Sequence, residues 1–262
     1  MVTKKTSTKK ASEKKTSARI TKVKEPAHIG LVKNDSYLAP YEDAIRGRHE
    51  HALWKMNQLT QDGKLSLSEF ANGYNYYGLH RTKDGWVFRE WAPNATEIFL
   101  IGDFNDWKEQ EAYQCQRLEG TGNWELILPE EALQHGQYYK MRVHWQGGEG
   151  ERIPAWAQRV VQDDATKIFS AQVWAPKKPF VWKKKTFKPQ TSPLLIYECH
   201  IGMAQDEEKV GTYNEFREKV LPRIIKDGYN AIQIMAIQEH PYYGSFGYHV
   251  SSFFAASSRF GT

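Results

Sequence analysis

The stretch YNAIQIMAIQEHPYYGSFGYH, residues 229–249, decides the fold of this chain. It opens on a nearly unbroken apolar run from Ala231 to Ile237, which is typical of a parallel strand covered on both faces. A polar, aromatic, glycine-rich loop follows, from Glu239 to Tyr248. In parallel α/β sheets, binding sites form where strands end at the carboxyl edge. The sequence therefore predicts a parallel α/β unit with a functional loop after this strand.

A strand and a helix precede this stretch. Leu195–Cys199 has a strand pattern, and Thr212 with Glu215 forms a capping box that opens a helix. Gly228 suits the C-terminal end of that helix. Pro222 conflicts with a regular helix because it lacks a backbone donor. The order strand, helix, strand predicts a right-handed parallel crossover.

Between residues 79 and 176 the apolar period changes to two. Several short alternating segments are separated by turn signals such as Asp84-Gly85. This pattern predicts an antiparallel β-sandwich. Three tryptophans on these segments alternate with polar neighbours and are expected mainly in the core: Trp91, Trp124 and Trp145.

The remaining segments flank these two units. Helical spacing from Tyr41 to Leu59 predicts a helix, and a capping box at Ser66 and Glu69 opens a shorter one that ends near Gly73. Lys and Pro dominate residues 177–193, which we interpret as a linker. The predicted divisions are a basic tail (1–25), a helical segment (26–78), the sandwich (79–176), the linker (177–193) and the start of an α/β barrel (194–262).

Charge is unevenly distributed along the chain. Residues 1–24 carry nine Lys and Arg against Glu13 alone, a charge of +8, which leaves −3 for the rest of a chain whose net charge is +5. We expect this tail to be disordered because it is rich in Lys, Thr and Ser and poor in apolar residues. A basic tail also permits binding to nucleic acid or to anionic surfaces. The rest of the chain is net acidic, which disfavours binding to nucleic acid.

Cysteine content and hydropathy indicate in which compartment the protein is located. The two cysteines, Cys115 and Cys199, have no framework spacing, so we expect free thiols and a reducing compartment. No signal-peptide pattern is visible, and no apolar run approaches 18 residues. Histidines are scattered without metal-site spacing, and phosphate-loop and dinucleotide motifs are absent. We therefore expect a cytoplasmic protein without a metal, a cofactor or a membrane partner.

Several strings resemble one enzyme family. YECHIGMA (197–204), GYNAIQIMAIQEH (228–240), YYGSFGYH (242–249) and SSFFAASSRFGT (251–262) resemble the start of the catalytic barrel of glycogen and starch branching enzymes, in the α-amylase superfamily. GDFNDW (102–107) resembles the carbohydrate-binding β-sandwich that precedes this barrel. The resemblance covers roughly residues 30–262 and implies a multidomain fold: a helical segment, the sandwich, and the first β-α-β of a (β/α)₈ barrel.

The resemblance implies transfer rather than simple hydrolysis. Such an enzyme cuts an α-1,4-glucan (glycogen, amylose) and moves the chain to a 6-hydroxyl, forming an α-1,6 branch. Retaining chemistry needs two carboxylates that flank one bond. In this family those carboxylates lie on later barrel strands, and a (β/α)₈ barrel needs about 250 residues. We therefore expect the 262 residues to be an N-terminal fragment that is inactive by itself. We also expect a monomer.

The resemblance also implies candidate substrate-binding residues. Tyr248 matches the superfamily tyrosine that stacks against the sugar at the cleavage point, and His249 follows it as a hydrogen-bonding candidate. Trp107 is a candidate glucan platform, although its motif also suits a structural turn. We expect Glu239 and His240 to make structural loop contacts, and Glu198 and His200 to be satisfied polar groups. Two other functions stay open: a non-catalytic glucan-binding module and a basic-tailed nucleic-acid-binding protein.

Overall fold

A computed structural model describes residues 30–184, 186, 188 and 192–262. Two compact units divide the chain, Met1–Gly73 and Tyr74–Thr262. The expected disorder of residues 1–25 lies outside the described residues. The described part of the expected linker contains neither helix nor strand.

Helices make up the described part of the first unit. The expected helix is confirmed as α2, and its half-buried residues Ile45, Leu53, Met56 and Leu59 share one face. The capping box is also confirmed, because Glu69 N donates to Ser66 Oγ at 3.1 Å and Ser66 N donates to Glu69 Oε2 at 2.7 Å. The short helix ends at Phe70 and not near Gly73. The helices are α1 (Gly30–Asn34), α2 (Glu42–Leu59) and α3 (Leu67–Phe70), with 3₁₀ turns at Ser36–Tyr41 and Gly73–Asn75.

Two antiparallel sheets form the sandwich in the second unit. The first sheet has the order β1-β2-β5-β4, and the second has the order β3-β6-β9-β8 with β7 paired to β6. The predicted sandwich is thus confirmed. Its strands are β1 (Gly78–Thr82), β2 (Gly85–Trp91), β3 (Ala95–Gly102), β4 (Gln116–Leu118), β5 (Asn123–Leu128), β6 (Tyr138–Trp145), β7 (Gly148–Arg152), β8 (Val160–Gln162) and β9 (Phe169–Gln172), with 3₁₀ turns at Glu111–Tyr113 and Glu130–Ala132.

Alternating side chains of both sheets fill one apolar core. Phe88 and Trp124 come from the first sheet, and Leu100 and Tyr139 from the second. Cys115 is a buried free thiol within this core. The period-two pattern of the sequence therefore sorts these strands correctly into inward and outward faces.

Tryptophan placement corrects one expectation. Trp124 is buried, as expected, and its Nε1 donates to the carbonyl of Ala92 at 2.9 Å. Trp145 is half-buried, and Trp91 is 58% exposed. Trp91 lies one residue beyond the buried Glu90, so the alternation of β2 turns it outward.

A parallel pair of strands begins the barrel-like segment. Every residue of β10 pairs with β11 in parallel, from Ile196 opposite Ala231 to His200 opposite Met235. The connecting helix contains a π-helical turn that ends two residues before Pro222, which has no N–H to donate to the preceding turn. The elements are β10 (Ile196–His200), α4 (Tyr213–Glu215), the π turn (Phe216–Val220), α5 (Leu221–Lys226), β11 (Ala231–Met235), β12 (Gln238–Glu239) and β13 (Ser252–Ala256), with 3₁₀ turns at Ile201–Met203, Tyr243–Ser245 and Ser258–Phe260.

Among the described residues, the apolar run 231–237 is not covered on both faces, although its pattern is typical of a covered strand. Ile232 and Ile237 are exposed, and the parallel sheet contains two strands in the part of the chain that the structure describes. The strand also ends early, because Ala236 adopts a left-handed conformation with φ 57°. A second strand, β12, then pairs with β13.

The barrel-like segment packs directly on the sandwich. The rings of Trp156 and Phe254 stack with centroids 3.9 Å apart, and the ring of Tyr77 also stacks on Trp156, with centroids 5.3 Å apart. Ala255 of β13 joins the sandwich core. Among the described residues, no helix is long and apolar enough to cross a membrane.

We expect Phe88→Ala to lower the free energy of unfolding by about 3–5 kcal/mol, because Phe88 has no exposed surface and its loss leaves a cavity. Urea denaturation followed by tryptophan fluorescence measures the change. Ile127→Ala is the matched control, since Ile127 lies on β5 but is 68% exposed. Equal losses in the two variants would contradict this assignment of the core.

Candidate functional site

A strained turn follows β3 and presents Trp107. Asp106 and Trp107 both have positive φ, 53° and 59°, which is uncommon for residues with a side chain. Buried Asn105 holds the turn: its Nδ2 donates to the carbonyl of Leu100 and its Oδ1 accepts from Gly102 N, each at 2.9 Å. Such strain persists only where surrounding contacts fix it.

Polar contacts fix the indole of Trp107. Its Nε1 donates to Asp103 Oδ1 at 3.1 Å, and the second oxygen of Asp103 accepts from Tyr138 N at 2.7 Å. The ammonium of Lys140 lies 5.9 Å from a ring centroid, within cation–π range. The indole remains 37% exposed. A rigid, partly exposed ring beside a hydrogen-bonding cation is therefore available to a ligand.

This ring forms one wall of a cleft of about 340 Å³. Tyr138 and Lys140 of β6 and Ser170 of β9 form its floor, because alternate residues of these strands point away from the core. The turn from Asp163 to Ile168 forms the opposite wall. The complete lining is Trp107, Tyr138, Lys140, Val161, Asp163, Thr166, Ile168 and Ser170.

A second surface lies on the loop between β12 and β13. Tyr248 is 78% exposed there, and His249 beside it is also exposed. Phe246 and Gly247 both have positive φ, and a Cβ at Gly247 would lie 2.4 Å from Cα of Ala236. Glycine is therefore required where the loop passes the end of β11.

Buried polar groups lie beneath this loop. Glu239 and His240 make structural contacts, as expected: the Glu239 carboxylate accepts hydrogen bonds within the segment, and His240 Nδ1 lies 2.9 Å from the carbonyl of Gln238. Glu198 accepts a hydrogen bond from Gln233. His200 differs from expectation, because it is buried and neither ring nitrogen has a partner among the described residues.

The candidate residues thus belong to two separate places. Trp107 lines the sandwich cleft, and neither Tyr248 nor His249 contributes to it. Sequence reasoning missed Tyr138 and Lys140. The available signal was the alternation of β6, which places both on the solvent face of the strand that the Trp107 turn contacts.

One cluster of charged residues on the sandwich has potential metal ligands. Ligand atoms of Glu109, His144 and Glu149 lie within 4.8 Å of one another, although they come from separate segments. His144 Nε2 lies 2.8 Å from Glu109 and Nδ1 lies 3.1 Å from Glu149. Arg142 approaches each of these carboxylates at 3.7 Å and supplies positive charge there. The cluster is therefore an ion-pair network in which Arg142 contacts both carboxylates.

Comparison with known proteins shows which proteins this chain is similar to. Residues 76–157 match the family model for carbohydrate-binding module 48 (isoamylase N-terminal domain). The chain is 40% identical over 239 residues to the 1,4-alpha-glucan-branching enzyme of Dictyostelium discoideum, covering 88% of this chain and 34% of that protein. The corresponding enzyme of Yarrowia lipolytica is 43% identical over 243 residues, with coverage of 88% and 34%.

Over 88% of its own length the chain is similar to part of these branching enzymes, and it contains a match to the carbohydrate-binding module. It spans about a third of the length of the curated relatives that it matches, including that of Saccharomyces cerevisiae, of which it covers 36% at 41% identity. The matched carbohydrate-binding module coincides with most of the sandwich and includes the Trp107 turn.

Solved structures of two pullulanases share the fold of this chain. Pullulanase from Bacillus acidopullulyticus aligns with a TM-score of 0.56 at 18% identity, covering 71% of this chain and 25% of that one. Pullulanase from Paenibacillus barengoltzii, solved in complex with maltohexaose and alpha-cyclodextrin, gives a TM-score of 0.56 at 19% identity, covering 79% and 36%. The chain therefore shares its fold with these two structures over most of its own length.

Burial of His200 predicts a pH dependence. Burial, and then the neighbouring His240, lowers the pKa of His200 below its usual value of 6.5. The unfolded chain therefore takes up a proton that the folded chain resists, so the free energy of unfolding falls as the pH drops from 7 to 5. His200→Phe keeps a planar ring among Tyr243, Phe246 and Phe260 but cannot titrate.

Urea titrations at several pH values test this expectation. We expect the free energy of unfolding to fall less steeply in His200→Phe than in the wild type. Burial raises the pKa of Glu90, which acts in the opposite direction but equally in both proteins. Identical slopes would show that His200 titrates normally in the folded state.

Proposed function

We propose that this chain is the substrate-binding N-terminal part of a 1,4-alpha-glucan branching enzyme. In that reaction an α-1,4-glucan is cut and the freed chain is transferred to a 6-hydroxyl, which forms an α-1,6 branch. The observation that carries the proposal is the fixed, partly exposed Trp107 ring in a cleft of the carbohydrate-binding module. The names of the relatives support the choice of α-1,4-glucan as ligand.

The cleft has the chemistry that a glucan requires. A glucose ring has an apolar face that can pack on an aromatic ring and hydroxyl groups that need hydrogen-bond partners. Trp107 offers the flat apolar surface. Lys140 and Ser170 offer a donor and a donor–acceptor at the cleft floor. We infer that a short α-1,4-linked segment lies across the indole with its hydroxyls directed to these groups.

The loop between β12 and β13 supplies the second proposed contact. Tyr248 presents an exposed ring at the carboxyl edge of the parallel strands, where chemistry occurs in barrel folds. His249 is the adjacent candidate for a sugar hydrogen bond. We propose that the sandwich holds a glucan chain while this loop receives the segment near the bond to be cut.

We expect Trp107→Ala to weaken the binding of maltoheptaose by at least about tenfold, because removal of a central aromatic contact typically costs this much or more. Isothermal titration calorimetry or affinity electrophoresis in glycogen-containing gels measures the change. Trp91→Ala is the matched control, since Trp91 is a more exposed tryptophan of the same sandwich outside the cleft. Equal weakening by both variants, or none by Trp107→Ala, would argue against this cleft.

We expect the 262 residues by themselves to have no branching activity on amylose in an iodine-absorbance assay. The retaining reaction needs a nucleophile and a general acid. In the family that this chain resembles, those carboxylates lie on later barrel strands. A full-length branching enzyme that is homologous to this chain is the positive control. Robust branching by the 262 residues would show that these residues contain a working catalytic pair.

Glucan binding without branching is also expected of a non-catalytic binding module that works alone. Co-expression with the remaining two thirds of a homologous branching enzyme separates these alternatives. Recovery of branching would support the enzyme. Binding without any recovered activity would favour the module.

A further inference from the structure

Glu239 lies at the end of β12 and is 1% exposed. Its Oε1 accepts from His240 N at 3.1 Å and from Ser257 Oγ at 3.2 Å. Its Oε2 accepts from Ser258 N and from Ser258 Oγ, each at 2.7 Å. Four donors, two of them backbone amides, thus converge on one buried carboxylate. Hydrogen bonds to a charged acceptor are among the stronger ones in proteins.

The backbone carbonyl of Glu239 binds the last residue of the loop that follows Glu239. The carbonyl of Glu239 accepts from Ser251 N at 2.9 Å and from Ser251 Oγ at 3.2 Å. Glu239 therefore contacts the first residue of the 240–251 segment, its last residue, and the Ser257–Ser258 turn after β13. We call residues 240–251 the Tyr248 loop, because this segment carries Tyr248.

The Ser257–Ser258 turn and the residues after it also form hydrogen bonds with other elements. Tyr213 Oη, at the start of the helix, donates to the carbonyl of Ser257 at 3.1 Å. Arg159 of the sandwich donates to Gln172 at 2.8 Å and approaches the carbonyl of Gly261 at 3.5 Å. Burial lowers the pKa of Arg159, and the nearby charge of Glu239 partly opposes this effect. The carboxylate thus lies at a junction of helix, loop and sandwich.

We propose that Glu239 is a positioning residue that fixes the Tyr248 loop for glucan binding and acts through Tyr248 rather than touching the sugar. This inference rests on the proposed function for the sugar contact, but the ordering of the loop by Glu239 does not. The carboxylate is fully enclosed, so it offers no surface to a substrate. One of its four donors, His240 N, begins the Tyr248 loop, and the other three belong to the Ser257–Ser258 turn, so the carboxylate ties the loop to that turn.

The isosteric variant Glu239→Gln tests the role of the second acceptor oxygen. A glutamine amide has one acceptor oxygen and one NH₂ donor group. Whichever way the amide is turned, the NH₂ group faces a backbone N–H, that of His240 or that of Ser258. The variant therefore keeps the shape of the side chain and replaces one attraction at the base of the loop by a donor–donor conflict.

Hydrogen exchange of the 262-residue chain, with and without maltoheptaose, is the experiment. In Glu239→Gln without sugar, we expect the amides of His240, Tyr248 and Ser251 to exchange about 10-fold to 100-fold faster than in the wild type. The amides of Cys115 and Trp107, bonded within the sandwich, serve as internal controls and should keep their rates. Maltoheptaose should slow the Tyr248 amide in the wild type and have no such effect in Glu239→Gln.

Two further variants separate the alternatives. Ser257→Ala removes one of the four donors without creating a conflict, so we expect a smaller increase of about 3-fold to 10-fold in the same amides. It also tests the inference if Glu239→Gln does not fold. Tyr248→Ala should abolish the effect of maltoheptaose on the loop while the loop amides keep wild-type rates without sugar.

Loop amides at wild-type rates in both Glu239→Gln and Ser257→Ala would overturn the inference. Faster exchange that extends equally to Cys115 and Trp107 would also overturn it, because Glu239 would then stabilise the whole unit rather than the loop. If maltoheptaose leaves the wild-type loop unchanged, the proposed sugar contact at Tyr248 fails. The sugar-free comparison would still decide whether Glu239 orders the loop.

Discussion

The packing of two antiparallel sheets against each other is the interaction on which the described second unit depends. Phe88, Leu100 and Val160 have no exposed surface and come from three different strands. Removing apolar area from water is the dominant favourable contribution to folding. Once both sheets bury their inner faces, alternate residues of β6 must face outward. This constraint is what places Tyr138 and Lys140 beside the Trp107 turn.

The sandwich also supports the segment that follows it. Phe254 stacks on Trp156, and Ala255 enters the sandwich core from β13. The hairpin of β12 and β13 is therefore anchored on one side by apolar packing and on the other by the buried Glu239 carboxylate. The parallel pair β10 and β11 has its own smaller core around Phe216, Ile224 and Phe260. Both proposed glucan contacts thus lie on turns held by rigid strands, as expected of binding residues.

Local strain is concentrated at the two candidate surfaces. Asp106 and Trp107 have positive φ beside the cleft, and Phe246 has positive φ two residues before Tyr248. Such conformations cost free energy and persist where neighbouring contacts compensate. Asn105 compensates in the first turn by bonding Leu100 and Gly102. In the second, Phe246 N donates to the carbonyl of Tyr243 at 2.9 Å, and Gly247 avoids a clash with Ala236.

The sequence by itself determined the elements and their kinds. Period-two alternation placed the strands of the sandwich, two capping boxes placed the starts of α3 and α4, and the motif strings indicated the family. These signals are local, because propensity, capping and periodicity depend on neighbouring residues. Only the tertiary structure decided which side chains meet. Lys140 reaches Trp107 across 33 residues, and Glu239 collects donors from Ser257 and Ser258, because strand pairing brings together residues that are distant in sequence. Local patterns also could not show that Ile232 is exposed, since burial depends on which layers cover a strand.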